Sequence, residues 1–173
     1  MSQDIQYPTG RVQLIEYSET VKENCIKAIE TLPIQLDFVI QDLNDSHLHT
    51  PYREGGWTPN QIIHHLADSH MNAFIRFKLA LNERHPSITP YDQNIWAETI
   101  DVQQVPCNIS ITLIHALHRR WVILLKACKK EDFMRSFYHP EQKRDIQLWE
   151  VLQYYAWHGK HHATQIINTK SGH

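Results

Sequence analysis

The sequence has few of the residues that build disulfide frameworks or phosphate-binding loops. Its three cysteines, Cys25, Cys107 and Cys128, are odd in number and far apart, with no Cys-x-x-Cys pair. This pattern predicts neither a disulfide framework nor a thiolate zinc site, and it fits a reducing cytoplasm. The five glycines form no Gly-rich phosphate loop.

Strong charge and long apolar runs are also missing. A formal net charge of -2 argues against a nucleic-acid or anionic-membrane surface. No apolar run approaches membrane-spanning length, and residues 1–10 do not resemble a signal peptide. We therefore predict a soluble, cytoplasmic protein with a single domain over residues 1–173, long enough to bury a core without a structural metal. Any bound metal would then be functional.

Apolar residues recur with helical spacing in four long stretches. The stretches run from Glu19 to about Leu43, from Thr58 to about Asn82, from about Ser110 to Cys128, and from about Leu148 to Asn168. Pro33 is expected to kink or split the first helix, whereas Thr58, Pro59 and Gln61 form a capping-box start for the second. The pattern predicts an all-α four-helix bundle.

A long loop connects the second and third helices, from Glu83 to Asn108. Loops of this length are often functional or carry a short helix, and we place such a helix at Asn94 to Thr99. Strand patterns are nearly absent. The exception is a small ribbon predicted between Phe137-Tyr138 and Asp145-Ile146-Gln147.

Histidine, by contrast, is abundant, with thirteen residues. It is the commonest metal ligand and titrates near neutrality. His158 and His162 have i, i+4 spacing and lie at the edge of the apolar stripe of the last helix, so their imidazoles can share a divalent ion. His161 points further round, and we predict that it is a surface residue.

A third ligand is sought on the second helix, which offers His64, His65 and His70. His70 falls in the middle of the apolar stripe, where a core histidine satisfied by one hydrogen bond is the ordinary alternative. His65 lies on a polar edge, which is typical of a helix that lines a solvent-accessible pocket. Periodicity supports His65 and His70 about equally, with His64 behind them.

Several motifs distributed along the chain are specific in combination. They are Gly55-Gly56-Trp57-Thr58, His64 to Asn72, Arg76 to Leu79, Pro90-Tyr91-Asp92 with Trp96, Phe137 to Pro140, and Trp157 to His162. Together they resemble the DinB superfamily and, within it, the YfiT-like branch of metal-dependent hydrolases. The similarity covers nearly the whole chain. It implies a homodimer that acts on a small-molecule substrate.

The resemblance also implies the metal ligands. In proteins of this kind, one divalent ion, zinc or nickel, is bound by the histidine before leucine in the second-helix motif and by the histidine pair of the last helix. Those positions are His65, His158 and His162. Relatives commonly have a further histidine where this chain has Gln165, so no role of that imidazole can be transferred. Three neutral imidazoles leave coordination positions open to water, as in catalytic zinc sites.

Other polar residues are candidates for supporting roles around the predicted ion. Asp68, Asp92 and Glu98 are candidates for orienting a ligand imidazole, although an exposed carboxylate is the favoured interpretation of each. Arg76 is a candidate for binding a substrate carboxylate, with an interhelical salt bridge as the alternative.

Three functions remain open at this point. The family resemblance favours hydrolysis by a metal-activated water. A thiol S-transferase that uses a low-molecular-weight thiol such as bacillithiol would suit the same ion, since a coordinated thiol loses its proton. A metal-binding stress-response module without turnover is the third. No serine or cysteine nucleophile has local support in the sequence.

Overall fold

The computed structural model describes residues 5–169 and confirms a predominantly helical chain. Its elements are α1 (Glu19–Gln41), α2 (Asp45–His49), α3 (Pro59–Asn82), α4 (Gln93–Trp96), α5 (Ile100–Gln104), α6 (Cys107–Ala127), α7 (Lys130–Phe133), β1 (Ser136–His139), β2 (Arg144–Gln147) and α8 (Leu148–Thr169). None of the helices in this part of the chain is both long and apolar enough to cross a membrane.

The four long helices, α1, α3, α6 and α8, form the predicted bundle, but sequence neighbours are not always spatial neighbours. Helix α1 packs against α6 and α8, and α3 packs against the same two helices. The order around the bundle is therefore α1, α6, α3, α8, with α1 diagonally opposite α3. This arrangement places α3 beside α8, which is the pair of helices that carries the predicted ligands.

The start of α3 follows the capping rule that its sequence predicts. The Thr58 hydroxyl accepts a hydrogen bond from the Gln61 backbone N–H, and the Gln61 side chain accepts one from the Thr58 N–H. Two backbone donors that a helix start leaves open are thereby satisfied. This start positions the first turns of α3, where His64 and His65 lie.

Pro33 lies inside α1 without splitting it, since the helix is continuous from Glu19 to Gln41. Proline has no N–H, so the carbonyl of Ile29, four residues earlier, has no donor at that position of the helix. The imidazole of His118 on α6 donates a hydrogen bond to this carbonyl instead, with Nδ1 2.6 Å from the oxygen.

The predicted ribbon is confirmed. Strands β1 and β2 pair in antiparallel fashion, with Phe137 opposite Ile146. The long loop holds two short helices rather than the single one expected. Helix α4 overlaps the predicted segment 94–99 only in part, and α5 was not predicted because five residues are too few to show a period.

The segment before α1 has an extended course along α8, which the sequence patterns did not reveal. The indole N–H of Trp149 donates to the Ile15 carbonyl at 2.7 Å, and that of Trp157 donates to the Gly10 carbonyl at 3.0 Å. The segment therefore covers a face of α8 that would otherwise be exposed.

Candidate metal centre

Three imidazoles from two adjacent helices converge at one point. Nε2 of His158 on α8 lies 3.2 Å from Nε2 of His65 on α3 and 3.2 Å from Nε2 of His162 on α8. All three side chains are buried, and their candidate ligand atoms lie within 4.8 Å of one another. The structure thus brings together the three histidines that the family resemblance indicated.

Gln165 determines which nitrogen of His162 carries the proton. The Gln165 side-chain nitrogen lies 3.1 Å from the Gln6 carbonyl, which can only accept, so this end is the amide NH₂. The opposite end, Oε1, lies 2.7 Å from Nδ1 of His162 and must accept the Nδ1 proton. A neutral His162 therefore presents an unprotonated Nε2 to the cluster.

His158 also presents an unprotonated Nε2, because its Nδ1 donates to Nε2 of His70 at 3.3 Å. The Ile29 carbonyl fixes this direction, since it accepts from Nδ1 of His118, whose Nε2 then accepts from Nδ1 of His70. Two lone pairs consequently face each other at 3.2 Å with no proton between them, and a cation satisfies both. Tetrahedral coordination with Zn–N bonds of 2.0–2.1 Å requires nitrogen atoms separated by about 3.3 Å. The spacing of the imidazoles fits such an ion.

Burial also keeps the imidazoles in the neutral form that a metal requires. Removal from water lowers the pKa of His65 to about 4. It lowers the pKa values of His158 and His162 well below the ordinary value, and the neighbouring imidazoles lower them further. At neutral pH the cluster therefore offers lone pairs rather than positive charge.

Aromatic side chains form the walls of the cluster. The ring of Trp57 lies 4.7 Å from that of His65, and the ring of Tyr154 stacks on His158 at 5.4 Å. A cavity of about 310 Å³ borders His158 and His162. A second cavity of about 380 Å³ shares the lining residues Tyr154 and Gln93 with the first.

The three carboxylates considered as partners of the ligand imidazoles lie in different environments. Asp92 is exposed and caps α4 by accepting from the Asn94 and Ile95 N–H groups, and the Glu98 carboxylate accepts from the Gln61 amide. Neither is an orienting partner of the imidazoles. Asp68 is half-buried, and burial raises its pKa to about 6, but no hydrogen bond within residues 5–169 joins its carboxylate to a ligand imidazole.

Arg76 lines the second cavity together with Ser69 and His139. Its guanidinium makes a long hydrogen bond of 3.5 Å to the Thr89 carbonyl. No ion pair joins it to a carboxylate in the described part of the chain, so the alternative of an interhelical salt bridge is not observed.

The prediction that His161 is a surface residue was wrong. It is only 5% exposed, because Trp157 stacks on it at 4.6 Å and Tyr7 of the N-terminal segment lies on it at 5.7 Å. A helical wheel cannot show the extended segment that covers this face. His64 is a satisfied core residue, with Nδ1 2.8 Å from the Ser110 hydroxyl and Nε2 3.0 Å from the Val105 carbonyl.

Comparisons with known proteins show which family the chain belongs to. Residues 28–166 match the family model described as the DinB superfamily. The chain belongs to the DinB superfamily. This DinB protein is 43% identical to YfiT of Bacillus subtilis over 95% of its own length and 93% of the relative's. It is 48% identical to a protein of Oceanobacillus iheyensis over 94% of both chains.

A solved structure extends the comparison to the fold. The structure of YfiT from Bacillus subtilis superposes with a TM-score of 0.94 at 41% identity, covering 97% of both chains. YfiT of Bacillus subtilis is described as "a probable metal-dependent hydrolase with an unusual four-helix bundle topology". Both sequence relatives carry the provisional name of metal-dependent hydrolase.

Proposed function

We propose that this DinB protein is a metal-dependent hydrolase that binds one divalent ion, zinc or nickel, through His65, His158 and His162. One observation carries the proposal. The Nε2 atoms of His158 and His162, which the hydrogen bonds to His70 and Gln165 leave without a proton, lie 3.2 Å apart in a buried cluster, where a divalent cation would accept both lone pairs. The provisional names of the relatives support the same conclusion.

The chemistry follows from the donor set. A divalent ion held by these three neutral imidazoles would keep its full charge and open coordination positions, and it would lower the pKa of a coordinated water towards about 7. The chain's own groups hold the imidazoles and enclose the site. Gln165 fixes His162, while Trp57 and Tyr154 limit access of bulk water to the cluster.

The second cavity supports a class of substrate. Arg76, which has no carboxylate partner among the described residues, supplies a planar set of donors that matches a carboxylate. Tyr154 and Gln93 border both cavities, and the proposed substrate would pass these two side chains to contact both Arg76 and the histidine cluster. We propose a small ester or amide that carries a carboxylate.

Metal content is the first test. Protein purified without a metal-affinity resin should contain about one divalent ion per chain by elemental analysis, because affinity for nickel from a resin says little about native use. The variant His158→Ala should lose the ion. The matched control His115→Ala removes an exposed histidine that pairs with Asp37 and should keep it. Equal metal content in both variants would contradict the assignment.

Turnover is the second test. Metal-loaded protein is assayed with esters and amides, with and without a carboxylate, and with a low-molecular-weight thiol plus an electrophile. Hydrolysis of the carboxylate-bearing compounds is expected, with a raised KM for Arg76→Gln and an unchanged KM for Arg119→Gln, an exposed arginine of α6. Turnover only with the thiol would indicate an S-transferase. No turnover with either would indicate a binding module.

A further inference from the structure

The imidazole of His158 is the first of a series of buried groups that crosses the bundle. Nδ1 of His158 lies 3.3 Å from Nε2 of His70, Nδ1 of His70 lies 2.9 Å from Nε2 of His118, and Nδ1 of His118 lies 2.6 Å from the Ile29 carbonyl. These contacts run from α8 through α3 and α6 to α1. We call His158, His70, His118 and the Ile29 carbonyl the histidine chain.

The direction of the hydrogen bonds in the histidine chain follows from its last member. The Ile29 carbonyl can only accept, so Nδ1 of His118 donates and its Nε2 accepts. Nδ1 of His70 must then donate to His118, which leaves Nε2 of His70 as the acceptor for Nδ1–H of His158. Nε2 of His158 is consequently unprotonated and faces the cluster.

Each imidazole in the histidine chain is neutral, as this assignment requires. His70, His118 and His158 are at most 3% exposed. Burial lowers the pKa of His118 to about 4 and that of His70 well below its ordinary value. A neutral imidazole has one donor and one acceptor, so one fixed end determines the tautomer of every ring.

The fixed end depends on Pro33. A residue with an N–H at position 33 would donate to the Ile29 carbonyl within α1, in competition with His118. Because proline cannot donate, the carbonyl is left for the imidazole. The proline inside α1 thus supplies an acceptor to a neighbouring helix.

The histidine chain also lies where two apolar clusters meet. One cluster contains Ile29, Leu117 and Tyr155, and the other contains Leu32 and Ala163. Polar groups in such a layer are costly unless all of them are paired, and here each nitrogen of His70 and His118 has a partner. A fully paired network of this kind holds its rings in one orientation.

We propose that His70 and His118, with the Ile29 carbonyl freed by Pro33, are positioning residues that set the tautomer and ring orientation of the metal ligand His158. This inference rests on the proposed metal site for its functional consequence. Partners of ligand histidines in known metal sites affect metal affinity or activity by about 10–100-fold. The histidine chain extends that support from the ligand on α8 to a backbone carbonyl of α1.

The first experiment reads the tautomers directly in metal-free protein. Two-bond ¹H–¹⁵N correlation spectra of the full chain at neutral pH should show His158, His70 and His118 all protonated at Nδ1 only. Protonation of His118 or His70 at Nε2 would overturn the proposal. This result does not depend on metal binding, so failure of the proposed function would be recognised separately, as absence of zinc binding with these tautomers intact.

The second experiment measures zinc affinity by competition with a chromophoric chelator. His118→Phe removes both hydrogen bonds of the last ring, to His70 and to the Ile29 carbonyl, and should raise the zinc Kd by about tenfold or more. His118→Gln retains an acceptor for His70 and should restore most of the affinity. Trp121→Phe is the packing control, since its indole contacts both rings but its N–H has no partner in the described structure.

The outcomes of the second experiment are distinct. A raised Kd in His118→Phe, with mixed tautomers at His158 and wild-type behaviour of Trp121→Phe, supports the proposal. A Kd unchanged from the wild type in folded His118→Phe overturns it, as does an equal loss of affinity in Trp121→Phe. If His118→Phe does not fold, the tautomers of His158, His70 and His118 in the wild-type protein still support or overturn the proposal.

Discussion

Gly159 lies between the two ligands of α8, and replacing it with alanine tests how closely that helix must approach α1. A Cβ added at Gly159 would lie 2.5 Å from Cδ2 of Leu32 and 3.2 and 3.3 Å from its Cδ1 and Cγ. Leu32 is only 2% exposed and belongs to a packed cluster, so it has little space to move. The two helices must therefore separate or distort.

Two opposing effects determine how much Gly159→Ala changes the free energy of unfolding. Alanine gains about 1 kcal/mol of helix propensity over glycine. Overpacking a filled core costs about 1–3 kcal/mol, and contact with three atoms of one side chain belongs in the upper half of that range. The net loss for Gly159→Ala is about 1 kcal/mol, which lowers the Tm of a chain of this length by about 2–4 °C.

The assay is thermal unfolding of metal-free Gly159→Ala beside the wild type. Lys160→Ala is the matched control, an exposed neighbour on the same helix whose Tm should hardly change. In the double variant with Leu32→Ala, the new Cβ occupies vacated space, so the double loss should fall short of the summed single losses by at least about 0.5 kcal/mol. A Tm of Gly159→Ala equal to or above the wild type would refute the reasoning.

Three further predictions follow from the site and the family. Chelation should leave the circular dichroism of the helices largely intact, because the apolar core does not need the ion, and wholesale loss of helix would indicate a structural metal instead. Light scattering should show a homodimer, the commonest soluble assembly, whereas only a 20.5 kDa species would count against it. Metal-free protein should lose stability on acidification, as measured by urea unfolding. The pKa of His118 is lowered from 6.5 to about 4 in the folded chain. The resulting contribution to stability is fully present above pH 6.5 and is lost as the pH falls through about 4. Constant stability down to that pH would contradict the assignment.

Local sequence signals predicted the elements of this fold well. The capping box at Thr58 and the apolar periods located α3 and α8 because these signals act within one or two turns of chain. The diagonal placement of α1 and α3 was not predictable in the same way. It depends on which apolar faces match across the bundle, and four amphipathic helices allow several such arrangements.

The candidate site was predictable in part for a related reason. The i, i+4 spacing of His158 and His162 is a property of one helix, so it is visible in the sequence. Selection of His65 over His70 required the family resemblance, because both are on the inward half of α3 and both are buried. The role of Gln165 was missed, since the orientation of its amide depends on partners distant in sequence, among them the Gln6 carbonyl and the Tyr52 hydroxyl.

His70 and His118 carry information about which helices are neighbours. A histidine in the middle of an apolar stripe has two ring nitrogens, and burial requires a partner for each. His70 on α3 and His118 on α6 both fall on such stripes, and neither helix offers a free backbone partner of its own. Mutual pairing therefore requires α3 and α6 to be adjacent with these residues at the same level.

The remaining nitrogen of His118 further requires a carbonyl that another helix leaves unpaired, and Pro33 inside α1 marks one. Buried polar groups that cannot be satisfied within their own helix thus constrain which helices are neighbours, where apolar periodicity alone does not.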